Sequence, residues 1–275
     1  MEHFISEDIK NTVWENKVPV IITMALDEVN GVDNPPNLMF NIERSGYLVV
    51  AIRDILTNFE KYFPVGYKEG DLWFSLNNTP LKWNLPFGVI LDSLVRDTSD
   101  LPIYITAHFR NFPEQQLIRY KNLDTLRFYY LNSLKEACTL RNGSAKEVLN
   151  LSTRETNKLL EIVFNPNKMF KDFWDLQSQI FDNSINKRFP AKFVFNKTDI
   201  VLTKPFNVWE ENSLDLDLKH FILSSFDKEA TEHMLSPDCK ILINSNEFDL
   251  STPMIFLVAN FSYMDMFLYI NIVEC

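Results

Sequence analysis

Two stretches of the chain, Leu72–Ile105 and Cys239–Ile272, carry one pattern at a constant offset of 167 residues. Phe74 and Leu76 fall on Ile241 and Ile243, Asn77 on Asn244, Leu81 on Phe248, Pro86 on Pro253 and Ile90 on Leu257. Leu101, Ile103 and Ile105 fall on Leu268, Ile270 and Ile272. The alignment needs no gap, which predicts connections of equal length before the last strand of each copy. Self-similarity at a fixed period marks a repeated structural unit, so the chain is expected to build one small architecture twice.

In the first copy, a short helix is expected over Ile5–Val13. Two β-runs follow at Val13–Glu15 and Val18–Ala25, the second with Val18, Val20, Ile22 and Met24 alternating at period two. Asp27–Pro36, with Gly, Asn and two prolines, interrupts any regular element. Between Tyr47 and Phe63, apolar residues at Leu48, Ile52, Ile55, Phe59 and Phe63 form a helical stripe. Leu72–Leu76, an Asn77-Asn78 turn and the short run Leu81–Trp83 come next. A second helix begins at Pro86, where proline suits a first turn, and ends near Val95. Strand Ile103–Phe109 closes the set. The order ββαββαβ is that of a β-grasp, or ubiquitin-like, domain.

The order returns after Arg188. Ala191–Asn196 and Ile200–Asn207 read as a hairpin and Leu214–Phe226 as a helix. Lys240–Ile243 and a short edge run near Phe248 follow, then a helix opened by Ser251-Thr252-Pro253 as an N-cap signal, and strand Phe267–Val273. Between the copies, Leu123 to about Ser184 is helical, with Leu123, Leu126, Tyr130, Leu134 and Ala137 on one face. Asn142-Gly143 stops that helix. Ser144 or Ser152 caps the next, which holds Leu159, Leu160 and Val163, and Met169, Phe173, Trp174 and Ile180 suggest a third. The class is therefore α+β, with two ubiquitin-like (β-grasp) domains flanking a helix-rich domain. The expected boundaries are 1–112 for the N-terminal helix and first domain, 121–186 for the helices and 189–275 for the second domain. Two such modules suit the handling of protein partners better than of small substrates.

Composition narrows the function classes. A net charge of −10 disfavours nucleic acid, because phosphate binding needs a basic surface. Three cysteines (Cys138, Cys239, Cys275), widely spaced and without a CxxC pair, disfavour a disulfide framework or a zinc site and favour a reducing compartment. No apolar run approaches the roughly 20 residues of a membrane span. Met1–Lys10 lacks an apolar signal core, and the Val-Glu-Cys end forms no prenylation box and is not the terminal glycine of a transferable modifier. A soluble, intracellular protein is expected.

Three blocks carry a resemblance. They are Leu72-Trp73-Phe74 with Thr79-Pro80-Leu81-Lys82-Trp83, Pro86, Gly88, Leu91 and Asp92; Leu101 through Phe109; and Leu134-Lys135-Glu136-Ala137-Cys138 with Leu140 through Ser144. In them the chain resembles the autophagy protein 5 family, in a form like its yeast branch. Weaker likeness at Val13-Trp14, Ser45 to Phe59 and Phe173-Trp174 extends it, collinearly, over nearly the whole chain. The resemblance implies two ubiquitin-like domains around a helical one, in agreement with the pattern reading. It implies that Lys135 is joined by an isopeptide bond to the C-terminal glycine of the ubiquitin-like autophagy protein 12. It further implies binding of a helical N-terminal segment of autophagy protein 16. The complex would act like an E3, promoting transfer of autophagy protein 8 from the conjugating enzyme autophagy protein 3 to phosphatidylethanolamine during autophagosome formation. The family member is a scaffold rather than an enzyme, without cofactor or metal, cytoplasmic and peripheral at pre-autophagosomal membranes.

The residues can also be read without the resemblance. Lys135 sits about 100° from Leu134 on the helical wheel, off the buried stripe. Its neighbours at three and four residues, Asn132, Cys138, Leu131 and Thr139, include no carboxylate, so the usual helical ion pair is missing. An amine that attacks a thioester must be accessible and free of a tight pair, as expected here, although an ordinary surface lysine has the same pattern. Cys138, one turn away, suggests a thiol relay only if a cationic neighbour lowers its pKa; otherwise it is core filler. His108 and His220 lack metal-ligand spacing and read as core or surface histidines. Asp215/Asp217 and Glu210/Glu211 read as charges at a helix start. Of Trp73, Trp83, Phe87, Phe173 and Trp174, most belong to the core, and one or two are expected to face the cleft where the domains meet, as anchors for an amphipathic helix. Lys187, Arg188, Lys192, Lys197 and Lys204 make a locally basic segment, either a membrane or acidic-partner contact or a solvated hairpin face. Two alternatives to the conjugated scaffold remain at this point: a purely non-covalent adaptor for the modifier, and a thiol-dependent ligase using Cys138.

Overall fold

The computed structural model describes residues 5–31, 33–68, 70–94, 101–164, 173, 188–196, 200–207 and 216–274. Strand β1 (Lys17–Met24) buries Val18, Val20, Ile22 and Met24, as its period-two pattern requires. It pairs antiparallel with β2 (Leu38–Glu43) and parallel with β5 (Ile103–His108). Beyond β5 lie β3 (Trp73–Leu76) and the short β4 (Thr79–Pro80), giving the order β2-β1-β5-β3-β4. Helices α2 (Ile52–Phe59) and α3 (Phe87–Leu94) contribute Ile52, Ile55, Phe59, Phe87 and Ile90 to the core.

The second sheet repeats the plan as β7-β6-β10-β8-β9, from β6 (Arg188–Phe195), β7 (Ile200–Asn207), β8 (Cys239–Ile243), β9 (Asn246–Glu247) and β10 (Leu268–Glu274). In both copies the tight hairpin turns on two residues of positive φ, Asn77 and Asn78 (50° and 65°) and Asn244 and Ser245 (53° and 63°). That geometry matches the right-handed twist of the flanking strands.

The final strands depart from the equal-length expectation. β5 begins at Ile103, 16 residues after the start of α3 at Phe87, whereas β10 begins at Leu268, 14 residues after the start of the equivalent helix (Met254–Phe261). Phe74 faces Ala107, but Ile241 faces Ile272, so Ile103, Ile105 and Ala107 correspond to Leu268, Ile270 and Ile272. A slip of two preserves which face each side chain occupies, so the hydrophobic pattern cannot detect it.

Other boundaries also differ. Val13–Glu15 is not a strand but the end of helix α1 (Glu7–Glu15), capped by Ser6, whose side chain accepts from Ile9 N–H. The partner of β1 is instead β2, beyond the Asp27–Pro36 loop. α1 packs on the second domain: Ser6 N–H donates to Asn260 Oδ1 at 2.8 Å, and Ile9 and Val13, one turn apart, rest on the second core. Leu214–Phe226 resolves, within the described residues, to α7 (Leu218–Ser225), capped by Asp217; an unforeseen α8 (Lys228–Met234), capped by Asp227, follows. Pro253 itself is the N-cap of α9 (Met254–Phe261), and Ser251 donates to Asp249 rather than capping it.

The central helices follow their signals. α4 (Leu123–Asn142) is capped by Asn122 and ended by Gly143 at φ 74°. α5 (Lys146–Leu149) is short, and α6 (Thr153–Val163) opens with a Ser152–Glu155 capping box. Phe173 is buried and helical, its ring 5.6 Å from that of Trp14; Met169, Trp174 and Ile180 lie outside the described residues.

One apolar cluster runs from the first sheet through α4 and α6 to Tyr263, Met264, Phe267 and Tyr269 of the second domain. A polar clamp lies beside it. Arg44 is paired with Asp92, both almost wholly buried. Asp92 also accepts the Ser245 N–H at 2.9 Å, across the domain junction. Burial pushes the Asp92 carboxyl above its ordinary pKa, while Arg44 and the Ser245 N–H pull it back.

Candidate functional site

Lys135 lies past the midpoint of α4, half-buried rather than projecting freely. Thr139 Oγ1 donates to its carbonyl oxygen at 2.8 Å, and among the described residues no carboxylate pairs with its ammonium. The residues on either side anchor the helix. Tyr130 Oη donates to the Met264 carbonyl at 3.1 Å, and Ser133 Oγ donates to Asp265 Oδ2 at 2.8 Å, which also accepts from Tyr269 Oη at 2.7 Å. Glu136 accepts from Lys192 Nζ and from Thr203 Oγ1, each at 3.2 Å. Lys135 is thus carried on an element held to β6 and β7 one residue away, and its position is fixed by its neighbours.

Lys192 is buried, its ammonium 3.6 Å from the centroid of the Phe267 ring as well as paired with Glu136. The basic segment therefore does not form one outward face. Lys204 lies over Phe226, Arg188 is exposed, and Lys187 and Lys197 are outside the described residues.

Cys138 is fully buried, its Sγ 3.3 Å from both the Ser144 carbonyl and Glu147 Oε2. Burial and the Glu147 carboxylate push its thiol up to about 11. A relay cysteine needs the opposite shift; here roughly one thiol in ten thousand is ionised at pH 7. Iodoacetamide at pH 7.5 should therefore leave Cys138 unlabelled in the folded protein while alkylating the half-exposed Cys239, as read by peptide mass spectrometry. Equal labelling of both would show that the thiol is open.

His108 joins a chain that sequence reading missed. Ser75 Oγ lies 2.8 Å from its Nε2, and Glu28 Oε1 lies 3.4 Å from its Nδ1, while Glu28 Oε2 accepts the Phe109 N–H at 2.5 Å. This has the connectivity of a hydrolytic triad. Ser75 and Glu28 are nevertheless buried, and the Trp73 ring stacks on the imidazole at 3.9 Å, so no substrate reaches the hydroxyl. The chain ties β3 to β5 and to the loop after β1. No sequence signal links Glu28 to a residue 80 positions away. His220 is exposed and bonded to the Asp217 cap at 2.7 Å; Asp215, Glu210 and Glu211 are outside the described residues. No cluster of three or more metal-ligating side chains occurs among the described residues.

A cleft of about 530 Å³ separates the two β-grasp domains, lined by Val18, Arg44, Asp92, Leu101, Leu242 and Asn246 among others. None of Trp73, Trp83, Phe87 and Phe173 lines it. Trp83 is core, its Nε1 donating to the Ile118 carbonyl, and Phe173 lines a small cavity with Trp14, Tyr263 and Met264 instead. Of the expected aromatics, Phe173 therefore does face a junction of all three domains, at that small cavity, whereas the larger cleft is lined by aliphatic and polar side chains and the Arg44–Asp92 pair.

Compared with known families, the chain matches three models of autophagy protein 5: its UblA domain over residues 13–109, its alpha-helical bundle region over 123–183 and its UblB domain over 175–272. The chain belongs to the autophagy protein 5 family. Autophagy protein 5 of Arabidopsis thaliana is 35% identical over 153 residues, 56% of this chain and 44% of that protein. The chain therefore spans less than half the length of that plant relative. Autophagy protein 5 of Debaryomyces hansenii is 24% identical over an alignment covering 96% of this chain and 94% of the relative. The crystal structure of Kluyveromyces marxianus Atg5 superposes with a TM-score of 0.78 over 97% of this chain and 99% of that one, at 18% identity, and so shares the fold. Membership places the chain in autophagy and accounts for its two ubiquitin-like domains around a helical bundle.

Proposed function

We propose that the chain is the acceptor and non-catalytic scaffold of the autophagy conjugation system, joined through Lys135 to autophagy protein 12. The observation that carries this reading is the contrast between two side chains on α4. Lys135 has no carboxylate partner among the described residues and rides on an anchored helix, whereas Cys138 is enclosed and proton-bound. In the step itself, the neutral Lys135 amine attacks the carbonyl of the modifier's terminal glycine, held as a thioester on a conjugating enzyme. The C–S bond breaks, the thiolate leaves on that enzyme, and the amine proton passes to solvent. Burying part of the lysine stem restricts its rotamers before attack.

The conjugate binds the helical N-terminal segment of autophagy protein 16. It acts like an E3, promoting transfer of autophagy protein 8 from autophagy protein 3 to phosphatidylethanolamine. It works in the cytoplasm, peripherally at pre-autophagosomal membranes. The 530 Å³ cleft between the domains is the concave surface best suited to a helical partner. The half-burial of Lys135 favours, as a second reading, an adaptor that holds the modifier without a bond.

The test is recovery of the protein from its native cell on a reducing denaturing gel, as wild type and as Lys135→Arg. A heavier, thiol-resistant band lost in Lys135→Arg is expected. Co-recovery of the modifier with no heavier band would replace the covalent reading with the adaptor. On a parallel gel run without reductant, a heavier band that added thiol dissolves would reinstate a cysteine relay.

A further inference from the structure

Strand β2 forms one edge of the first sheet. Pro19 has no N–H to give to Asn41 opposite it, and Arg44 N–H donates to the Asn16 carbonyl at 3.0 Å. The ladder to β1 therefore uses Leu38, Phe40 and Ile42, because hydrogen-bonded positions alternate along an antiparallel pair. The N–H and C=O groups of Met39 and Asn41 point away from the sheet, and among the described residues none of them has a partner. Edge strands are usually blunted by proline, lysine or a bulge, and Leu38–Glu43 contains none of these.

A groove runs beside this edge. Its floor and far wall are Phe40, Ile42, Val50, Ala51, Val163 and Phe164, and its volume is about 160 Å³. A cavity of about 150 Å³ with such a lining accepts one benzene ring. The charged residues lining the groove are Glu43, which pairs with Lys17 at 3.3 Å, and Asp54, and among the described residues no basic side chain lines it. Asp54 is exposed on α2.

We propose that β2 is a docking edge for an extended, basic peptide segment of a protein partner, which adds to the sheet as a sixth strand. Each feature specifies one property of the occupant. The unpaired Met39 and Asn41 groups require an extended backbone with two residues, two positions apart, exchanging N–H···O bonds. The residue between them lies opposite Phe40 and shares its face, so one large apolar side chain enters the groove. Asp54, on the groove side of the sheet, selects Lys or Arg two residues from that one, on the same face, because successive strand side chains alternate faces. The surface is separate from Lys135 and α4, so it adds a partner to the conjugated scaffold without using its acceptor.

The experiment measures fluorescence anisotropy of the full-length chain with labelled Thr-Lys-Thr-Phe-Thr-Lys-Thr, in which Phe and both Lys share the groove face. Controls are the same peptide N-methylated at alternate residues, a scrambled peptide of equal composition and a Glu-for-Lys version. Saturable binding is expected, at least tenfold weaker for the N-methylated peptide and lost for the acidic one. Met39→Pro removes one outward N–H at a position where an edge strand tolerates proline, and should weaken binding at least tenfold. Asp54→Lys, on the opposite wall, should weaken it severalfold without touching the strand. Equal affinity for the N-methylated or scrambled peptide, or for Met39→Pro with an unchanged circular dichroism spectrum, overturns the proposal. Concentration-dependent dimerisation without peptide, abolished by Met39→Pro, also overturns it by showing a second copy as the occupant. Lys135→Arg should bind the peptide as wild type does, which keeps this result independent of the conjugation test.

Discussion

Asp92→Leu is expected to cost about 3–5 kcal/mol of folding stability, seen as a lower urea midpoint at unchanged slope. Against a total of roughly 5–15 kcal/mol, that leaves a marginal protein. The substitution strands the Arg44 guanidinium in a site where it is almost wholly buried, and a guanidinium cannot escape by losing its proton. It also removes the acceptor of the Ser245 N–H. The reverse deletion is milder. In Arg44→Met, the Asp92 carboxyl, already pushed above its ordinary range by burial, neutralises itself by taking up a proton, at about 1.4 kcal/mol for each tenfold rise in its proton affinity. The double replacement, which removes both charges from the junction, should recover most of the loss. Equal costs for the two single variants, or a double variant no better than Asp92→Leu, would show that the pair is not the clamp described above.

Gly88→Ala should destabilise by about 1–3 kcal/mol, and Gly88→Val by more. The sign is informative, since alanine in a helix normally stabilises relative to glycine by about 1 kcal/mol. A Cβ at Gly88 would stand 2.7 Å from Tyr263 Oη and 2.9 Å from the Arg44 carbonyl oxygen. The backbone cannot withdraw, because Gly88 N–H donates to that same carbonyl at 2.7 Å. Spacing rather than backbone conformation demands glycine, since this residue does not have a positive φ. Tyr263 belongs to the second domain, so α3 approaches the far domain at this point. In a Tyr263→Phe background the phenol oxygen is gone, and Gly88→Ala should cost measurably less. Additive losses in the double variant would place the strain elsewhere.

The repeat was readable because its strongest signals are local. The paired turn residues Asn77-Asn78 and Asn244-Ser245, and the prolines at Pro86 and Pro253, sit at one offset, and β3, β4 and α3 recur there as β8, β9 and α9. What depended on tertiary pairing was hidden. The last strand slides by two because either register buries the same face. β2 left little period-two signal, because the apolar Met39 points to solvent between Leu38 and Phe40. α1 was expected, though ending at Val13 rather than Glu15, but the surface that stabilises it could not be read, because it comes from residues of the second domain. At the candidate site, the unpaired state of Lys135 followed from its helical neighbours, and its role as acceptor came from the resemblance alone. Its half-burial did not follow, and neither did the Glu136–Lys192 contact, which joins positions 56 apart. Cys138 needed its surroundings to be seen, since its enclosure and the Glu147 carboxylate, which lies beyond the turn at Gly143, push its thiol up.

The contact between Ser6 and Asn260 spans 254 residues, and the middle strand of the second sheet is β10, the last element of the chain. On a translating ribosome at about 5–20 residues per second, α1 emerges roughly 10–50 s before the surface that will hold it. Through that interval Ile9 and Val13 stay in water, and β6 and β7 wait as a hairpin without a neighbour. The first sheet can close while synthesis continues, but the second cannot begin to close until its central strand is released. Closure of the second sheet therefore comes late, when its central strand enters between β6 and β8, and α1 settles on the Met254–Phe261 helix only once that domain has formed.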